Sequence, residues 1–252
     1  MKTRVAIQTL GCKLNQAESE WLARDLARRG YRVVSHLESY DVCVVNTCTV
    51  TSLSDRKSRN LLRRARANNP AARLIAAGCY ARTSEMQISG VGRGIVAHTH
   101  GIESLPDLLD ARFGPVAGTG HGAYLGRTRS FVKVQEGCNR HCTYCVVPLA
   151  RGEERSVDLE TVLRQVRDRV AEGYQEIVLT GTNVGSYRSG GFGLTRLIGM
   201  ILGRTAVSRL RISSLQPDDI SDDLLAAFQD PRLCPHIHMP LQSGSPGVLR
   251  RM

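Results

Sequence analysis

The sequence predicts an α/β protein in which an N-terminal parallel-sheet α/β domain is followed by an incomplete βα barrel. Short β-branched runs alternate with amphipathic helical patterns along residues 1–110, and this alternation is typical of a parallel sheet covered by helices. A second alternating series starts at Ser130. That series reaches only about half of the βα units of a full barrel before Met252.

Local signals mark each N-terminal element. The predicted strands are RVAIQTLG, YRVVS, YDVCVVNTC, ARLIAAGC and GIVAHTHG. The first predicted helix is NQAESEWLARDLARRG, with Gly30 at its end. The second is SLSDRKSRNLLRRARANNP, capped by Ser52 or Ser54 and stopped before Pro70. A short helix, IESLPDLLD, completes the first half.

Residues 111–128 are rich in glycine and are interpreted as a linker between domains over 1–110 and 129–252. The segment lacks the strand before and the helix after that a phosphate-binding loop needs. Beyond it, the predicted strands are SFVKVQEGC, QEIVLTGTNVG, RLRISSLQP and HIHMPLQSG. The predicted helices between them are DLETVLRQVRDRVAEG, GLTRLIGMILGR and DDISDDLLAAFQ.

Charge and cysteine content narrow the class of protein. The formal net charge of +11 favours a polyanionic partner, and charge alone leaves RNA, DNA and anionic lipid open. No apolar run approaches membrane-spanning length, and the N-terminal run is too short for a signal peptide, so we expect a cytoplasmic protein with no membrane partner. In a reducing compartment, the eight cysteines favour metal binding or redox chemistry over disulfides.

Three cysteines, Cys138, Cys142 and Cys145, lie within EGCNRHCTYCVVP, directly after a predicted strand. No second cysteine pair follows, which argues against an ordinary structural zinc site. Three thiolates can hold three irons of a [4Fe–4S] cluster and leave the fourth iron open to a small molecule. The alternative is a zinc site completed by a distant histidine such as His141 or His238.

The spacing of these cysteines resembles the cluster motif of the radical S-adenosylmethionine (SAM) superfamily, and Tyr144 matches the aromatic residue usual before the last cysteine. The resemblance implies that the open iron chelates SAM and that an electron cleaves it to a 5′-deoxyadenosyl radical. Active sites of βα barrels lie at the carboxyl ends of strands, so polar residues there are candidate SAM contacts. They are Thr180, Gly181, Asn183, Ser213, Ser214, Gln216, Gln242 and Ser243. An ordinary role in a loop explains each of them equally well, and Gln242 and Asn183 are preferred.

A second group of cysteines is dispersed in sequence. Cys12, Cys48 and Cys79 each end a predicted parallel strand. Residues just past the carboxyl ends of neighbouring parallel strands converge on one edge of the sheet, so these three cysteines could share one cluster. Cys43 lies inside its strand and is interpreted as a buried, small hydrophobic residue.

The segments TLGCKLNQAES, NTCTVT and AGCYAR resemble the three cysteine segments of the tRNA methylthiotransferase family, in the same order. The residues of these segments are similar to those of the branch that acts on N6-threonylcarbamoyladenosine in tRNA. The resemblance implies that Cys12, Cys48 and Cys79 bind an auxiliary [4Fe–4S] cluster. The branches that act on isopentenyladenosine tRNA or on a ribosomal protein remain alternatives. A non-catalytic iron–sulfur or zinc protein that binds RNA is the alternative of another class.

The family reaction places a methylthio group at C2 of the adenine at position 37 of tRNA. The resemblance implies that one SAM supplies the methyl group, a second supplies the radical, and sulfur comes from or through the auxiliary cluster. It also implies tRNA and a low-potential electron donor as partners, while the oligomeric state stays open. Family members complete the barrel and add a C-terminal RNA-binding (TRAM) domain beyond the position of Met252, so we expect this chain alone to be inactive or weakly active.

The densest basic run, DRKSRNLLRRAR at residues 55–66, is predicted to be helical. Four arginines recur there at spacings of three and four and share one helix face. These candidate tRNA contacts are Arg56, Arg59, Arg63 and Arg66. An ordinary solvated surface explains them equally well. Four histidines are interpreted as structural: His98, His100, His236 and His238.

Overall fold

The computed structural model describes residues 2–114 and 128–252. The chain divides into two compact units, residues 1–125 and 126–252, and both contain parallel strands alternating with helices. The α/β class predicted from the sequence is therefore confirmed. Among the helices in the described part of the chain, none is both long enough and apolar enough to cross a lipid bilayer.

The first unit is a parallel sheet covered by helices. Its strands are β1 (Arg4–Thr9), β2 (Arg32–Val34), β3 (Val42–Thr47), β4 (Arg73–Gly78) and β5 (Ile95–Ala97). Its helices are α1 (Lys13–Arg28), α2 (Ser52–Asn68), α3 (Cys79–Thr83), α4 (Glu85–Ser89) and α5 (Leu105–Phe113), with a 3-10 turn at Ile102–Ser104. The strands lie in the order β2-β1-β3-β4-β5, and all pairs are parallel. The carboxyl ends of β1, β3 and β4 are therefore neighbours.

Aliphatic side chains pack on both faces of this sheet. All six residues of β3 are buried, as expected for a central parallel strand. On one face Leu22 of α1 packs in a cluster with Val44. On the other face Leu62 of α2 packs in a cluster with Val45. Each such buried side chain contributes about 1.5–3 kcal/mol, so the strands hold the cysteine-bearing loops on a rigid support.

The start of α2 differs from the sequence prediction. The helix is capped by Thr51, whose Oγ1 accepts from the backbone N–H of Ser54 at 3.1 Å, and not by Ser52 or Ser54. Thr51 has the extended backbone that an N-cap needs, whereas both serines already lie in the helix. At its other end α2 stops at Asn68, before Pro70, as predicted.

The glycine-rich segment predicted as a linker, residues 111–128, begins inside a helix. Helix α5 continues through Phe113, and Gly114 follows it with a φ of +77°. Residues 115–127 lie outside the described residues. The boundaries of the two predicted domains stay a prediction.

The second unit is built around a parallel sheet with the order β12-β9-β6. Its strands are β6 (Arg129–Lys133), β7 (Gln135–Glu136), β8 (Arg155–Ser156), β9 (Glu176–Thr180), β10 (Arg188–Ser189), β11 (Phe192–Gly193) and β12 (Arg209–Ile212). Its helices are α6 (Val147–Arg151), α7 (Leu159–Ala171), α8 (Leu194–Arg204), α9 (Asp222–Ala227) and α10 (Pro246–Leu249), with 3-10 turns at Val184–Ser186 and Pro217–Asp219. Val162 of α7 and Leu197 of α8 pack in one cluster with Leu179 of β9.

The prediction of a fourth strand over HIHMPLQSG is wrong in its extent. Within this segment only His238 makes an isolated parallel bridge, to Ser214, and a second isolated bridge joins Leu233, just before the segment, to Leu210. The proline amides at Pro235 and Pro240 carry no hydrogen and cannot donate to a neighbouring strand. The chain therefore follows the path of a fourth strand next to β12 without forming a regular ladder.

Candidate metal and cofactor sites

The loop that carries Cys138, Cys142 and Cys145 begins directly after β7. It enters through Gly137, whose φ of +76° lies in the region that favours glycine. A Cβ atom at this position would overlap the backbone oxygen of Glu153. The backbone N–H of Cys138 donates to the oxygen of Gly152 at 3.1 Å. The entrance of the cysteine loop is therefore packed tightly against the chain that follows α6.

The three cysteine side chains of this loop share one local environment and are partly exposed. Burial raises the pKa of the Cys138 thiol, a hydrogen bond from the backbone of Arg140 opposes that rise, and the nearby Cys145 and Cys142 add to it. The backbone N–H of Cys145 donates to the oxygen of Cys142 at 3.0 Å, which makes a tight turn. Tyr144, between them, is about half exposed.

The donor set of this loop suits an iron–sulfur cluster, because it offers three thiols and a cluster takes each thiolate at a different iron. Within the described residues, no three His, Cys, Asp or Glu side chains are arranged to hold one metal ion. His238, one of the histidines considered as a zinc ligand, instead lies 2.7 Å from the hydroxyl of Ser214 through its Nδ1.

Buried oxygen atoms without partners lie at the carboxyl ends of β9 and β12, which are neighbours in the sheet. Asn183 Oδ1 and Ser213 Oγ are two of them, and both residues are candidate SAM contacts. Thr182 Oγ1 is a third, and the sequence reasoning missed it. Each buried polar atom left without a partner costs about 1–3 kcal/mol. A bound molecule with amino and hydroxyl donors, as SAM is, would satisfy them.

Two further candidate SAM contacts have local partners. Ser214 Oγ is paired with His238, as described above. Gln216 precedes the 3-10 turn at Pro217–Asp219, and its backbone N–H donates to Asp219 Oδ2 at 2.7 Å. The geometry gives Gln216 the role of starting this turn.

The remaining candidates lie before or beyond these buried oxygens. Thr180 is buried as the last residue of β9, and Gly181 follows it directly. Gln242 is exposed in a segment without regular secondary structure. Ser243 Oγ accepts from the backbone N–H of Ser245 at 3.1 Å. Of the two preferred candidates, the structure therefore buries Asn183 at the strand ends and leaves Gln242 in solvent.

The second group of cysteines lies at one edge of the N-terminal sheet. Cys12 directly precedes α1, which follows β1. Cys48 directly follows β3, and Cys79 directly follows β4 as the first residue of α3. Cys12 is exposed, whereas Cys48 and Cys79 are buried. The three strand ends that carry these cysteines are neighbours, because β1, β3 and β4 are adjacent and parallel, and a cluster shared by the three thiols stays a prediction.

A buried amide network supports this edge. Asn15 Nδ2 donates to Asn46 Oδ1 at 3.2 Å and to the backbone oxygen of Thr47 at 2.9 Å. Asn46 Nδ2 donates back to the backbone oxygen of Asn15 at 2.9 Å. The Cys12 thiol donates to Asn15 Oδ1 at 3.3 Å. The sequence reasoning missed these asparagines, although a polar residue at the end of the apolar run DVCVVN is a signal of such a network.

Gly78 allows the Cys79 segment to approach the same network. Its φ is +86°, and a Cβ atom there would overlap Asn46 Oδ1. The hydroxyl of Thr47 donates to the Ala77 oxygen at 2.5 Å. The ends of β3 and β4 are thereby fixed to each other next to Cys48 and Cys79.

Cys43 and His98 have the structural roles predicted for them. Cys43 is fully buried in β3, and burial raises its pKa to about 11. His98 is buried, with Nε2 lying 3.0 Å from the Gly101 oxygen and 3.1 Å from the Ser104 hydroxyl. Burial lowers the pKa of His98, so the neutral ring is favoured.

The predicted RNA contacts of α2 are placed unequally. Arg56 and Arg63 are exposed. Arg59 Nη1 donates to the Tyr80 hydroxyl at 2.8 Å. Arg66 donates to three backbone oxygens near the end of the helix. Arg59 and Arg66 therefore have partners within the protein, and their role as tRNA contacts stays a prediction. The exposed cations of α2 are Arg56, Lys57, Arg63 and Arg64.

Comparison with known proteins identifies both halves of the chain. Residues 4–96 match the model of Uncharacterized protein family UPF0004, and residues 132–252 match that of the Radical SAM superfamily. Over 99% of its length, the chain is 36% identical to the threonylcarbamoyladenosine tRNA methylthiotransferase MtaB of Aquifex aeolicus, of which it covers 65%. Over 100% of its length, it is 38% identical to the protein of the same name from Thermotoga maritima, of which it covers 61%.

The chain belongs to the radical SAM tRNA methylthiotransferase family. The resemblance inferred from the cysteine segments is thereby confirmed. Membership of the radical SAM superfamily implies SAM and a [4Fe–4S] cluster as cofactors. The chain spans about three fifths of the length of these methylthiotransferase relatives.

Two further similarities concern the substrate branch and the fold. The chain is 32% identical, over 100% of its length, to the tRNA-2-methylthio-N(6)-dimethylallyladenosine synthase of Syntrophus aciditrophicus, of which it covers 59%. A solved structure of the radical SAM methyltransferase TsrM from Kitasatospora setae, with cobalamin and a [4Fe–4S] cluster bound, has a TM-score of 0.64. That match covers 99% of this chain and 62% of TsrM at 13% identity, so it shows likeness of fold alone.

Proposed function

We propose that this methylthiotransferase-family protein adds a methylthio group to C2 of N6-threonylcarbamoyladenosine at position 37 of tRNA. The proposal rests on one observation, namely two cysteine triads, one in each unit. Cys12, Cys48 and Cys79 lie at the carboxyl ends of adjacent parallel strands, and Cys138, Cys142 and Cys145 lie on the loop that follows β7. Relatives at 36% and 38% identity carry the name of this reaction. The dimethylallyladenosine branch is the second candidate, because a relative at 32% identity carries that name. Action on a ribosomal protein is the third.

In this proposal Cys138, Cys142 and Cys145 bind the cluster that takes SAM, and a low-potential donor reduces it. Cys12, Cys48 and Cys79 bind an auxiliary cluster. When bound, the two clusters and SAM supply the radical, the methyl group and the sulfur. The protein positions these groups, and its buried oxygens Asn183 Oδ1, Thr182 Oγ1 and Ser213 Oγ accept hydrogen bonds from SAM. Accepting such bonds removes the cost that these oxygens carry when they have no partner.

The auxiliary site draws on the amide network of the N-terminal sheet. Asn15 and Asn46 are fully buried, and their hydrogen bonds join the chain after Cys12 to the chain before Cys48. A site held on strand ends by buried hydrogen bonds keeps its ligands in place better than a site on loops alone. Sulfur insertion needs ligands that stay in place, because the sulfur has to reach the carbon from which hydrogen is removed.

The test is nucleoside mass spectrometry of tRNA from a strain that lacks the gene. We expect loss of the 2-methylthio form of threonylcarbamoyladenosine and accumulation of the form without sulfur. Restoring the gene should restore the modified nucleoside. Loss of the 2-methylthio isopentenyl derivative instead would assign the chain to the second branch. If the tRNA nucleosides do not change, the proposed tRNA function is wrong.

We further propose that the exposed cations of α2, Arg56, Lys57, Arg63 and Arg64, bind tRNA phosphates. Each cation bound to a phosphate releases counterions, so the slope of log affinity against log salt falls by about one for each such cation that is removed. The double variant Arg56→Ala with Arg63→Ala is expected to weaken tRNA binding about tenfold and to reduce that slope by about two. Filter binding across a salt series measures both quantities.

A matched double variant controls for charge alone. Arg164 and Arg167 are exposed on α7, and replacing both with alanine removes the same charge. We expect that variant to bind tRNA as the unaltered chain does. If the two double variants weaken binding equally, the α2 surface has no specific role and only net charge matters.

A further inference from the structure

The side chain of Gln135 is fully buried beside the entrance of the cysteine loop. Its Nε2 donates to the backbone oxygen of Glu136 at 3.0 Å and to that of Gly137 at 2.9 Å. The Gly137 carbonyl is the last one before Cys138. Gln135 therefore fixes the peptide from which the first cysteine of the loop projects.

The same side chain reaches the loop that follows β9. Gln135 Oε1 accepts from the backbone N–H of Asn183 at 2.8 Å, across 48 positions of sequence. The loop carries the Asn183 Oδ1 and Thr182 Oγ1 atoms that are buried without partners. One amide thus holds the start of the cysteine loop and the loop with the unsatisfied oxygens at the same time.

The orientation of this amide is determined by its surroundings. Both hydrogen bonds on Nε2 go to carbonyl oxygens, and the bond on Oε1 comes from an N–H. A flipped amide would place oxygen against two carbonyls and a donor against a donor. The side-chain amide of Gln135 therefore has one stable orientation.

Gly181 allows the two loops to approach this closely. A Cβ atom at Gly181 would lie 2.8 Å from the Gln135 backbone oxygen and 2.9 Å from Gln135 Oε1. The backbone N–H of Val134 donates to the Thr180 oxygen at 2.9 Å, which continues the contact between the strands. Gly181 is also a candidate SAM contact, and the close approach to Gln135 gives this glycine a packing role as well.

We propose that Gln135 is a positioning residue that couples the geometry of the cysteine loop to the SAM-contacting loop at Thr182 and Asn183. This inference rests on the proposed use of Cys138, Cys142 and Cys145 as the ligands of the SAM cluster. Through Gln135, the oxygens that receive SAM keep a fixed position relative to the loop that holds the cluster. Gln135 itself is not in the ligand set, so its loss affects SAM binding while leaving the cluster ligands intact.

The test compares Gln135→Glu, Gln135→Met and a control, Gln229→Glu, in the reconstituted chain. The glutamate would keep an acceptor for the Asn183 N–H but would place a second oxygen against two carbonyls, and the methionine would remove all three hydrogen bonds. Gln229 is exposed and lies outside both loops. We expect unchanged iron content in all three variants. We expect the SAM concentration that half-saturates the change in the cluster EPR spectrum to rise about tenfold in the two Gln135 variants alone.

A second measurement needs no cluster. In the cluster-free chain, amide hydrogen exchange at Asn183 is expected to become at least about tenfold faster in Gln135→Met, since its acceptor is gone. Unaltered exchange at Asn183, or iron-replete variants with unaltered SAM half-saturation, would overturn the coupling. If the unaltered chain shows no spectral response to SAM, the proposed function fails, and the exchange at Asn183 still decides whether Gln135 couples the loops.

Discussion

Replacing Cys138, Cys142 and Cys145 together with alanine is expected to remove about four of about eight irons from the anaerobically reconstituted chain. The same variant should lose every effect of SAM on the EPR spectrum. The reason is that these three thiols share one loop, whose start Gln135 ties to the loop that carries the buried oxygens without partners. Iron and sulfide analysis measures the first effect, and an EPR titration with SAM measures the second.

The reciprocal variant replaces Cys12, Cys48 and Cys79 with alanine. It should also lose about four irons, yet the remaining spectrum should still respond to SAM. Any methylthio transfer that the unaltered chain shows should fall to background in both variants if the two clusters act in one reaction, because the radical and the sulfur are both required. The EPR response to SAM therefore distinguishes the two sites, and loss of methylthio transfer in both variants would show that one reaction needs both sites.

Cys43→Ala with Cys234→Ala is the matched control. Both residues are buried, and neither lies in a triad. The control removes two thiols and should retain both clusters. Zinc in place of iron in the unaltered chain, or loss of all iron in either triad variant, would contradict the assignment of two independent sites.

Gly137→Ala is expected to destabilise the second unit by about 2–5 kcal/mol. An alanine at a φ of +76° costs about 1–2 kcal/mol, since L-residues disfavour that conformation. The added Cβ atom would also overlap the Glu153 backbone oxygen, and relieving such an overlap costs about 1–3 kcal/mol more. Amide hydrogen exchange of β6 and β9 in the cluster-free chain measures the free energy of opening.

Gly152→Ala separates these two costs. Gly152 has a φ of +74°, almost the same as Gly137, but nothing lies within 4 Å of the place where its Cβ would be. It should therefore lose only about 1–2 kcal/mol, the conformational part. Equal losses at the two positions would show that the overlap with Glu153 adds nothing to the cost of Gly137→Ala.

The fold was predictable wherever a signal is local. Alternation of β-branched and helical runs indicates a parallel sheet, and the order of strands in an α/β sheet brings the ends of β1, β3 and β4 to one edge. Cys12, Cys48 and Cys79 could therefore be grouped although they are far apart in sequence. The alternation in HIHMPLQSG predicts a fourth strand that does not form a regular ladder, because Pro235 and Pro240 have no backbone N–H to donate.

Charge patterns on α2 were predicted less well than its position. The spacing of its arginines correctly places Arg56, Arg59 and Arg63 on one helical face. Periodicity gives no information on which guanidinium finds a partner in the protein. Arg59 bonds to Tyr80, which comes from another part of the chain, and so leaves the set of cations that face solvent.

By itself, the sequence determined the α/β class and the family and pointed to the two groups of three cysteines, because strand and helix periodicity and cysteine motifs are properties of short segments. Only the tertiary structure showed that Asn15 and Asn46 support one triad and that Gln135 joins the loop of the other triad to Asn183. These hydrogen bonds link residues 31 and 48 positions apart. A buried amide obtains its partners from whichever segments the sheet brings beside it, and that choice is made by packing over the whole unit.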